Sequence, residues 1–294
     1  MKKIKVGIIG TGNIGTDLLV KINRSQYLEC GIFAGRNPDS KGIAIAQKMG
    51  VPVSFESIQA IEKDPDCCEI VFDATSANVH LYNEPILKRL NKFIIDLTPA
   101  KISKMCVPVI NLEECLDEPA VNLITCGGQA TIPIAHTIAK LYPEMEYVEI
   151  VASIASKSAG SGTRNNIDEF TQTTRDALSQ FTGIKKTKAI ITLNPAEPPI
   201  IMRNTVYAII ESPNMELIFE KVHEIADRIK QYVPGYKIVL GPVFENGRVT
   251  TIIEVVGLGD YLPEYSGNLD IITCAAVNIA EEYAKRKFLA DEKK

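Results

Sequence analysis

The residue type best suited to covalent chemistry is the cysteine of Thr125-Cys126-Gly127-Gly128-Gln129-Ala130-Thr131-Ile132-Pro133. The apolar run Val121–Thr125 before it reads as a strand, and Ile134, Ile138 and Leu141 recur after it at helical spacing. The pattern predicts a helix whose N-cap is Thr131, with Pro133 in the first turn. Cys126 then sits at a strand-to-helix turn, where the positive end of the helix favours thiolate over thiol. Gly127 and Gly128 leave backbone N–H groups unobstructed, and such donors can hold an oxyanion. The arrangement offers a nucleophile and anion support for a thiol adding to an aldehyde carbon. The alternative is a small buried residue at a tight turn. His136 lies ten residues on along the same helix, too far to serve as the base, and reads as structural.

A second constellation is Gly10-Thr11-Gly12-Asn13-Ile14-Gly15. It follows the β-branched run Ile4–Ile9 and precedes Ile14, Leu18, Leu19 and Ile22 at helical spacing. Strand, G-x-G-x-x-G, helix is the setting of a dinucleotide fingerprint. Gly10 permits the turn, Gly12 admits the pyrophosphate, and Gly15 lets helix and strand pack closely. Unpaired N–H groups at the helix start then face the phosphates. The cofactor expected is NAD, with NADP left open. The second strand ends Ala34-Gly35-Arg36 with Asp39 farther along, and Arg36, Ser40 and Lys41 suit either a 2′-phosphate or an exposed loop.

The elements that must position these residues alternate. Leu28–Ala34, Ile70–Phe72, Phe93–Leu97, Val107–Ile110 and Val121–Thr125 read as buried strands, mostly separated by helices or loops. That order implies a Rossmann-type α/β fold, a doubly wound parallel sheet. Thr75 and Ser76 follow one strand end, where ligands of such sheets bind, and read equally as cofactor contacts or as turn and cap residues.

The second half changes character. Strand Tyr147–Ile154 leads into the small, polar loop Ser156–Arg164, which can wrap a ligand closely. A helix from Asn166 through Phe181 follows. Strands near Ala189–Leu193 and Ile200–Ile210, a helix over Met215–Ile229, and strands Tyr236–Val243 and Arg248–Gly257 complete an α+β catalytic and dimerisation domain. Glu245-Asn246-Gly247 is the turn between the last two strands, and the final helix runs from about Leu269 to Lys287. The expected division is 1–130 with 267–294 for the dinucleotide-binding domain and 131–266 for the substrate domain.

Bulk properties narrow the classes. The 294 residues are 46% hydrophobic and 23% charged, the profile of a folded globular chain. Net charge is −4 and no basic stripe occurs, so no nucleic-acid partner is expected. No apolar run is long enough to span a membrane, and the glycine-rich start reads as a strand, so the chain is expected in the cytoplasm, off the membrane. Seven cysteines without C-x-x-C spacing, beside three histidines, point to reduced thiols and to no metal site.

Long ordered segments carry a resemblance to the acylating acetaldehyde dehydrogenase family: G-T-G-N-I-G-T-D-L at Gly10, F-D-A-T-S-A at Phe72, I-D-L-T-P-A at Ile95, T-C-G-G-Q-A-T-I-P at Thr125, I-V-A-S-I-A-S-K-S-A-G at Ile150, N-P-A-E-P-P-I-I-M-R at Asn194 and Y-L-P-E-Y-S-G-N-L-D-I at Tyr261. The resemblance implies oxidation of acetaldehyde by NAD with coenzyme A as acyl acceptor, through a thioester on Cys126. It implies cofactor contacts at Thr11, Gly12, Asn13 and Ile14. It extends them over Lys157, Ser158, Ala159, Gly160, Ser161, Gly162, Thr163, Arg164 and Asn165, and to Asn268. It implies a 4-hydroxy-2-oxovalerate aldolase partner in meta-cleavage of aromatic compounds, within a homodimer or a heterotetramer with that aldolase. It also implies that the last helix returns to the nucleotide domain. Two departures stand out. Family members often carry M-R-D-T-V-Y where this chain has Asn204 in place of the Asp, so a catalytic role at this position cannot be that of a base. The stretch Val239 to Val255 is also shorter than usual.

Overall fold

The computed structural model describes residues 3–160, 164 and 167–292. It divides into two compact units, Met1–Leu123 with Thr273–Lys294, and Ile124–Ile272.

The first unit opens with β1 (Ile4–Ile9), α1 (Asn13–Arg24), β2 (Leu28–Ala34), α2 (Lys41–Lys48), β3 (Val53–Ser54), α3 (Ile58–Lys63) and β4 (Ile70–Asp73). It continues with α4 (Ala77–Arg89), β5 (Phe93–Asp96), β6 (Lys104–Met105), α5 (Pro108–Cys115) and β7 (Ala120–Asn122). The strands form one sheet in the order β3-β2-β1-β4-β5-β7-β6, with every pair parallel. The order reverses between β1 and β4, the crevice where doubly wound sheets bind ligands. Strands covered on both faces read as continuous apolar runs: Val6, Ile8, Ile9, Ile70, Val71, Phe72, Ile94 and Ile95 are all buried. The expected fold class is the one observed.

Val107–Ile110 is not a strand. Its β-branched residues suggested one, but Pro108 is the first residue of α5, where a missing N–H costs nothing and the fixed φ suits a helix. Val107 is extended and precedes it. The Asn111 amide then closes the turn, its oxygen accepting from Val107 N at 2.9 Å and its Nδ2 donating to Met105 O at 2.9 Å. The edge strand here is β6 instead, and Cys106, between β6 and α5, is buried.

The second unit contains α6 (Cys126–Leu141), β8 (Tyr147–Ala155), α7 (Ile167–Thr182), β9 (Thr187–Asn194), β10 (Met202–Ile209), α8 (Met215–Lys230), β11 (Tyr236–Glu245) and β12 (Arg248–Val255). Its mixed sheet runs β11-β12-β10-β8-β9, antiparallel except for β8 with β9. Met202, Asn204, Val206 and Ala208 alternate toward the buried face of β10. The last helix, α9 (Gly267–Asp291), contains the division between the units.

Candidate functional site

The helix that bears Cys126 begins earlier than the sequence suggests. Thr125, not Thr131, is the N-cap of α6, and Cys126 is its first residue. Two adjacent glycines read as helix breakers, yet a hydroxyl cap ahead of them starts the helix. Thr125 Oγ1 accepts from Gly128 N at 3.0 Å and lies 2.7 Å from Thr174 Oγ1. Thr174 donates its own proton to Phe170 O, so Thr125 must donate to Thr174. The chain of hydroxyls fixes the cap to α7. Thr131 is internal to α6, where its hydroxyl donates to Gly127 O at 2.6 Å. Pro133 also sits within the helix.

This geometry corrects the expected anion cradle. The Gly128 N–H is committed to Thr125, and Gln129 N donates to Thr125 O at 2.9 Å. The backbone groups that favour its thiolate are those of Gly127 and of Cys126 itself. Burial outweighs them and pushes the Cys126 thiol up to about 11, although the residue keeps some contact with solvent. The resting group is therefore a thiol, contrary to the expected thiolate. The turn that delivers it is strained: Ile124, two residues earlier, holds φ at 64°, a region that β-branched residues rarely adopt. No sequence signal marks it.

The other thiols divide by burial and by contact with one another. Burial raises Cys30 to about 12, and contact with a neighbouring thiol as well as burial raises Cys68 and Cys106. Cys67 and Cys115 are lowered, each by a hydrogen bond from that neighbour, Cys68 and Cys106 respectively. His136 Nδ1 lies 2.6 Å from Phe181 O, and a carbonyl only accepts, so that nitrogen carries the proton. Burial also pushes its pKa down. Its ten-residue separation from Cys126 is about 15 Å of helix, which leaves it a structural histidine.

Beneath the first turn of α6 lies the centre of the mixed sheet. A Cβ placed on Gly127 would stand 3.2 Å from Ala152 Cβ, and Ala152 is the register partner of Asn204. Asn204 is fully buried, and neither of its side-chain polar atoms has a hydrogen-bond partner among the described residues. Thr251 Oγ1, on the same sheet face one pair along, also lacks one. So does Thr173 Oγ1 on α7. Sequence spacing gave no hint of this group apart from Asn204.

Past β8, Ser156–Ser158 forms one 3-10 turn. Lys157 Nζ pairs with Glu197 at 2.7 Å, and Ser158 Oγ donates to Ala155 O at 2.9 Å. Ala159 is buried, while a Cβ on Gly160 would meet open space. Arg164 folds back over the turn, donating to Ala159 O at 3.1 Å and to Ser156 O at 2.6 Å. Ser161, Gly162, Thr163 and Asn165 lie outside the described residues, as does Asn166, the expected helix start. Asn268, in the first turn of α9, is buried, and its Oδ1 has no hydrogen-bond partner among the described residues.

In the first unit the glycine motif forms a tight turn with positive φ at Gly10 (109°). A Cβ there would stand 2.4 Å from Ala74 O, and one on Gly15 would stand 1.8 Å from Gly10 O. At Gly12 nothing lies within 4 Å. Gly12 is also the N-cap of α1, with no side chain covering the first-turn N–H groups of Asn13 and Ile14. These residues fit a dinucleotide: close packing at Gly10 and Gly15, open space at Gly12, and uncapped donors for phosphate. The Gly10 turn abuts the Ala74-Thr75-Ser76 turn, so the two sequence-expected contacts Thr75 and Ser76 share its crevice. Thr75 is held by Asp73, whose Oδ1 accepts from Thr75 N at 3.1 Å and from its hydroxyl. Ser76 precedes α4 but makes no side-chain cap. Ser40, weighed for a 2′-phosphate, instead caps α2 and donates to Thr11 Oγ1 at 3.1 Å. Arg36 and Lys41 are exposed.

Known proteins match both halves. Residues 5–117 match the family described as semialdehyde dehydrogenase, NAD binding domain. Residues 126–263 match the one described as prokaryotic acetaldehyde dehydrogenase, dimerisation. A protein of Pectobacterium atrosepticum named acetaldehyde dehydrogenase is 52% identical over 289 residues, covering 98% of each chain. One from Geobacillus stearothermophilus with the same name is 51% identical over 292 residues, 99% of each chain. A crystal structure of aspartate semialdehyde dehydrogenase II from Vibrio cholerae superposes with a TM-score of 0.60 at 15% identity, covering 97% of this chain and 99% of that one, a likeness of fold alone.

Proposed function

The chain belongs to the acetaldehyde dehydrogenase family, and from that premise we propose that it oxidises acetaldehyde with NAD to an acyl-thioester on Cys126 and passes the acyl group to coenzyme A. The observation that carries the reading is Cys126 as first residue of α6, where the backbone groups of Gly127 and Cys126 favour its thiolate. NAD, when bound on the glycine turn, supplies the hydride acceptor. The chain's own residues do the rest. Cys126 Sγ adds to the carbonyl carbon and its proton leaves. The oxygen of the adduct takes charge near the backbone donors of the first turn, where a fixed dipole stabilises it without reorganisation. Because the resting thiol titrates at about 11, deprotonation accompanies binding or attack, and Asn204 positions by hydrogen bonding and takes no proton. Sulfur leaves the acyl carbonyl reactive toward a second thiol, which suits coenzyme A as acceptor.

Three finer readings rest on the motif resemblance: coenzyme A as acceptor, a 4-hydroxy-2-oxovalerate aldolase as partner, and a place in aromatic meta-cleavage. A dimer formed through the second unit is supported by exposed Val239, Leu240, Val243 and Phe244 on β11. The test is NADH formation from acetaldehyde with coenzyme A or with phosphate as acceptor, in wild type and Cys126→Ser. Turnover with coenzyme A alone, lost in the variant, supports the proposal. Turnover that prefers phosphate, or that survives in the variant, overturns it.

A further inference from the structure

The C-terminal edge of the parallel sheet carries a buried cluster that the reaction above does not use. Asp73, Asp96 and Asn122 stand in register on β4, β5 and β7, one row across three strand ends. All three are fully buried, and so is His80 in the first turn of α4. His80 Nδ1 lies 2.9 Å from Asp73 Oδ2. Its Nε2 lies 3.0 Å from Glu84 Oε2 and 3.3 Å from Asp96 Oδ2. Each ring nitrogen therefore faces carboxylate oxygen. A neutral imidazole has one N–H, so against ionised carboxylates one side would set a lone pair against a lone pair; burial pushes Asp96 up to about 6, and above that pH only the imidazolium donates to both sides. Lys88, paired with Glu84, is the one further charge in the cluster that bears on these carboxylates among the contacts described. No group of three His, Cys, Asp or Glu side chains among the described residues is arranged to hold a metal ion.

The cluster holds the turns that border the cofactor crevice. Asp73 fixes Thr75 through its N–H and hydroxyl, and binds Asn83 Nδ2 at 2.9 Å. Asp96 accepts from Thr98 N at 2.7 Å and from Asn122 Nδ2 at 2.7 Å. Glu84 accepts from Ser103 Oγ at 3.0 Å. The Ala74 carbonyl next to Asp73 is the atom against which Gly10 packs.

We propose that His80 is a positioning residue of the cofactor site: its doubly donating imidazolium ties Asp73 to Asp96 and so sets the Ala74–Ser76 turn against the glycine turn, making NAD(H) affinity depend on the His80 proton. This rests on the NAD reading above. Burial by itself would lower the His80 pKa, but the hydrogen bond to Asp73 and the charges of Asp96, Asp73 and Glu84 outweigh it and raise the pKa above the usual value. Affinity is therefore highest while His80 is charged and weakens as pH climbs through that raised pKa.

The experiment uses the whole protein. NADH fluorescence titrations from about pH 6 to about pH 10 give Kd, and imidazole-labelled NMR gives the His80 pKa with and without NADH. The three histidine signals are assigned with His136→Asn and His223→Asn variants, which leave His80 in place. Reciprocity demands that NADH raise the His80 proton affinity by the factor by which Kd weakens, expected to be about tenfold. His80→Gln, where it folds, keeps one donor and loses the pH dependence while alkylation of Cys126 proceeds at the wild-type rate. An NMR pKa unmoved by saturating NADH overturns the proposal and leaves the NAD reading intact. Absence of NADH binding at every pH overturns both.

Discussion

Two buried polar regions of this protein are built on opposite plans. Around His80 every carboxylate has partners, although Asn83 Oδ1 has none among the described residues: Asp73 accepts from Thr75, Asn83 and His80, and Asp96 from Thr98, Asn122 and His80. In the second unit Asn204, Thr251 and Thr173 are as deeply buried, yet their polar atoms go unpaired among the described residues. A paired network specifies one arrangement of loops and is strongly destabilised by losing a member. An unpaired one contributes no such stability. The difference teaches that the first unit ties its buried carboxylates into the turns of its crevice, whereas the second leaves buried polar groups of its sheet and helix unpaired among the described residues.

The largest expected effect comes from breaking the paired region. Asp73→Ala strands His80, Asn83 and the Thr75 N–H, and should lower unfolding free energy by about 3–5 kcal/mol, read from urea melts. In the second unit Asn204→Leu removes two unpaired polar atoms, and its stability change should stay within about 1.5 kcal/mol of wild type, with turnover reduced. Equal losses from the two substitutions would erase the contrast.

The glycine turn sharpens the comparison by separating shape from binding. Gly15→Ala drives a Cβ into the Gly10 carbonyl and should cost about 2–3 kcal/mol of stability through overpacking. Gly12→Ala meets nothing, so its melt should move by under about 1 kcal/mol while NADH binding weakens at least about tenfold from lost approach to phosphate. Unaltered NADH binding in Gly12→Ala would remove the phosphate from this turn.

The smallest effect is expected at the cap of α6. Thr125→Ala leaves the Gly128 N–H uncapped and should cost about 1 kcal/mol. Thr125→Ser, which keeps the hydroxyl, should restore most of that, and failure to do so would show that the methyl group, not the cap, matters there.

The sheet of the first unit was legible because strands buried on both faces leave unbroken apolar runs, and the Gly10–Gly15 motif announces its own turn. Cys126 was legible as residue and turn, but not as the start of a helix: Gly127 and Gly128 obscured a cap made by Thr125, whose hydroxyl is anchored from α7, far along the chain. Val107–Ile110 misled because β-branched composition competes with proline at a helix start, and the Asn111 side chain settled it. The raised thiol pKa was invisible because desolvation depends on what tertiary structure packs around the sulfur, not on its neighbours in sequence. The His80 cluster was missed for the same reason, its members being joined by strand register rather than spacing.

The central claim is that one sulfur carries the acyl group. Incubation of the protein with acetaldehyde and NAD, with no acceptor thiol, followed by acid quench and peptide mass analysis, tests it most directly. An acetyl group on the peptide containing Cys126, removed on adding coenzyme A, is the predicted result. An acetyl group on another cysteine, or NADH formed in step with free acetate and no adduct, would contradict it.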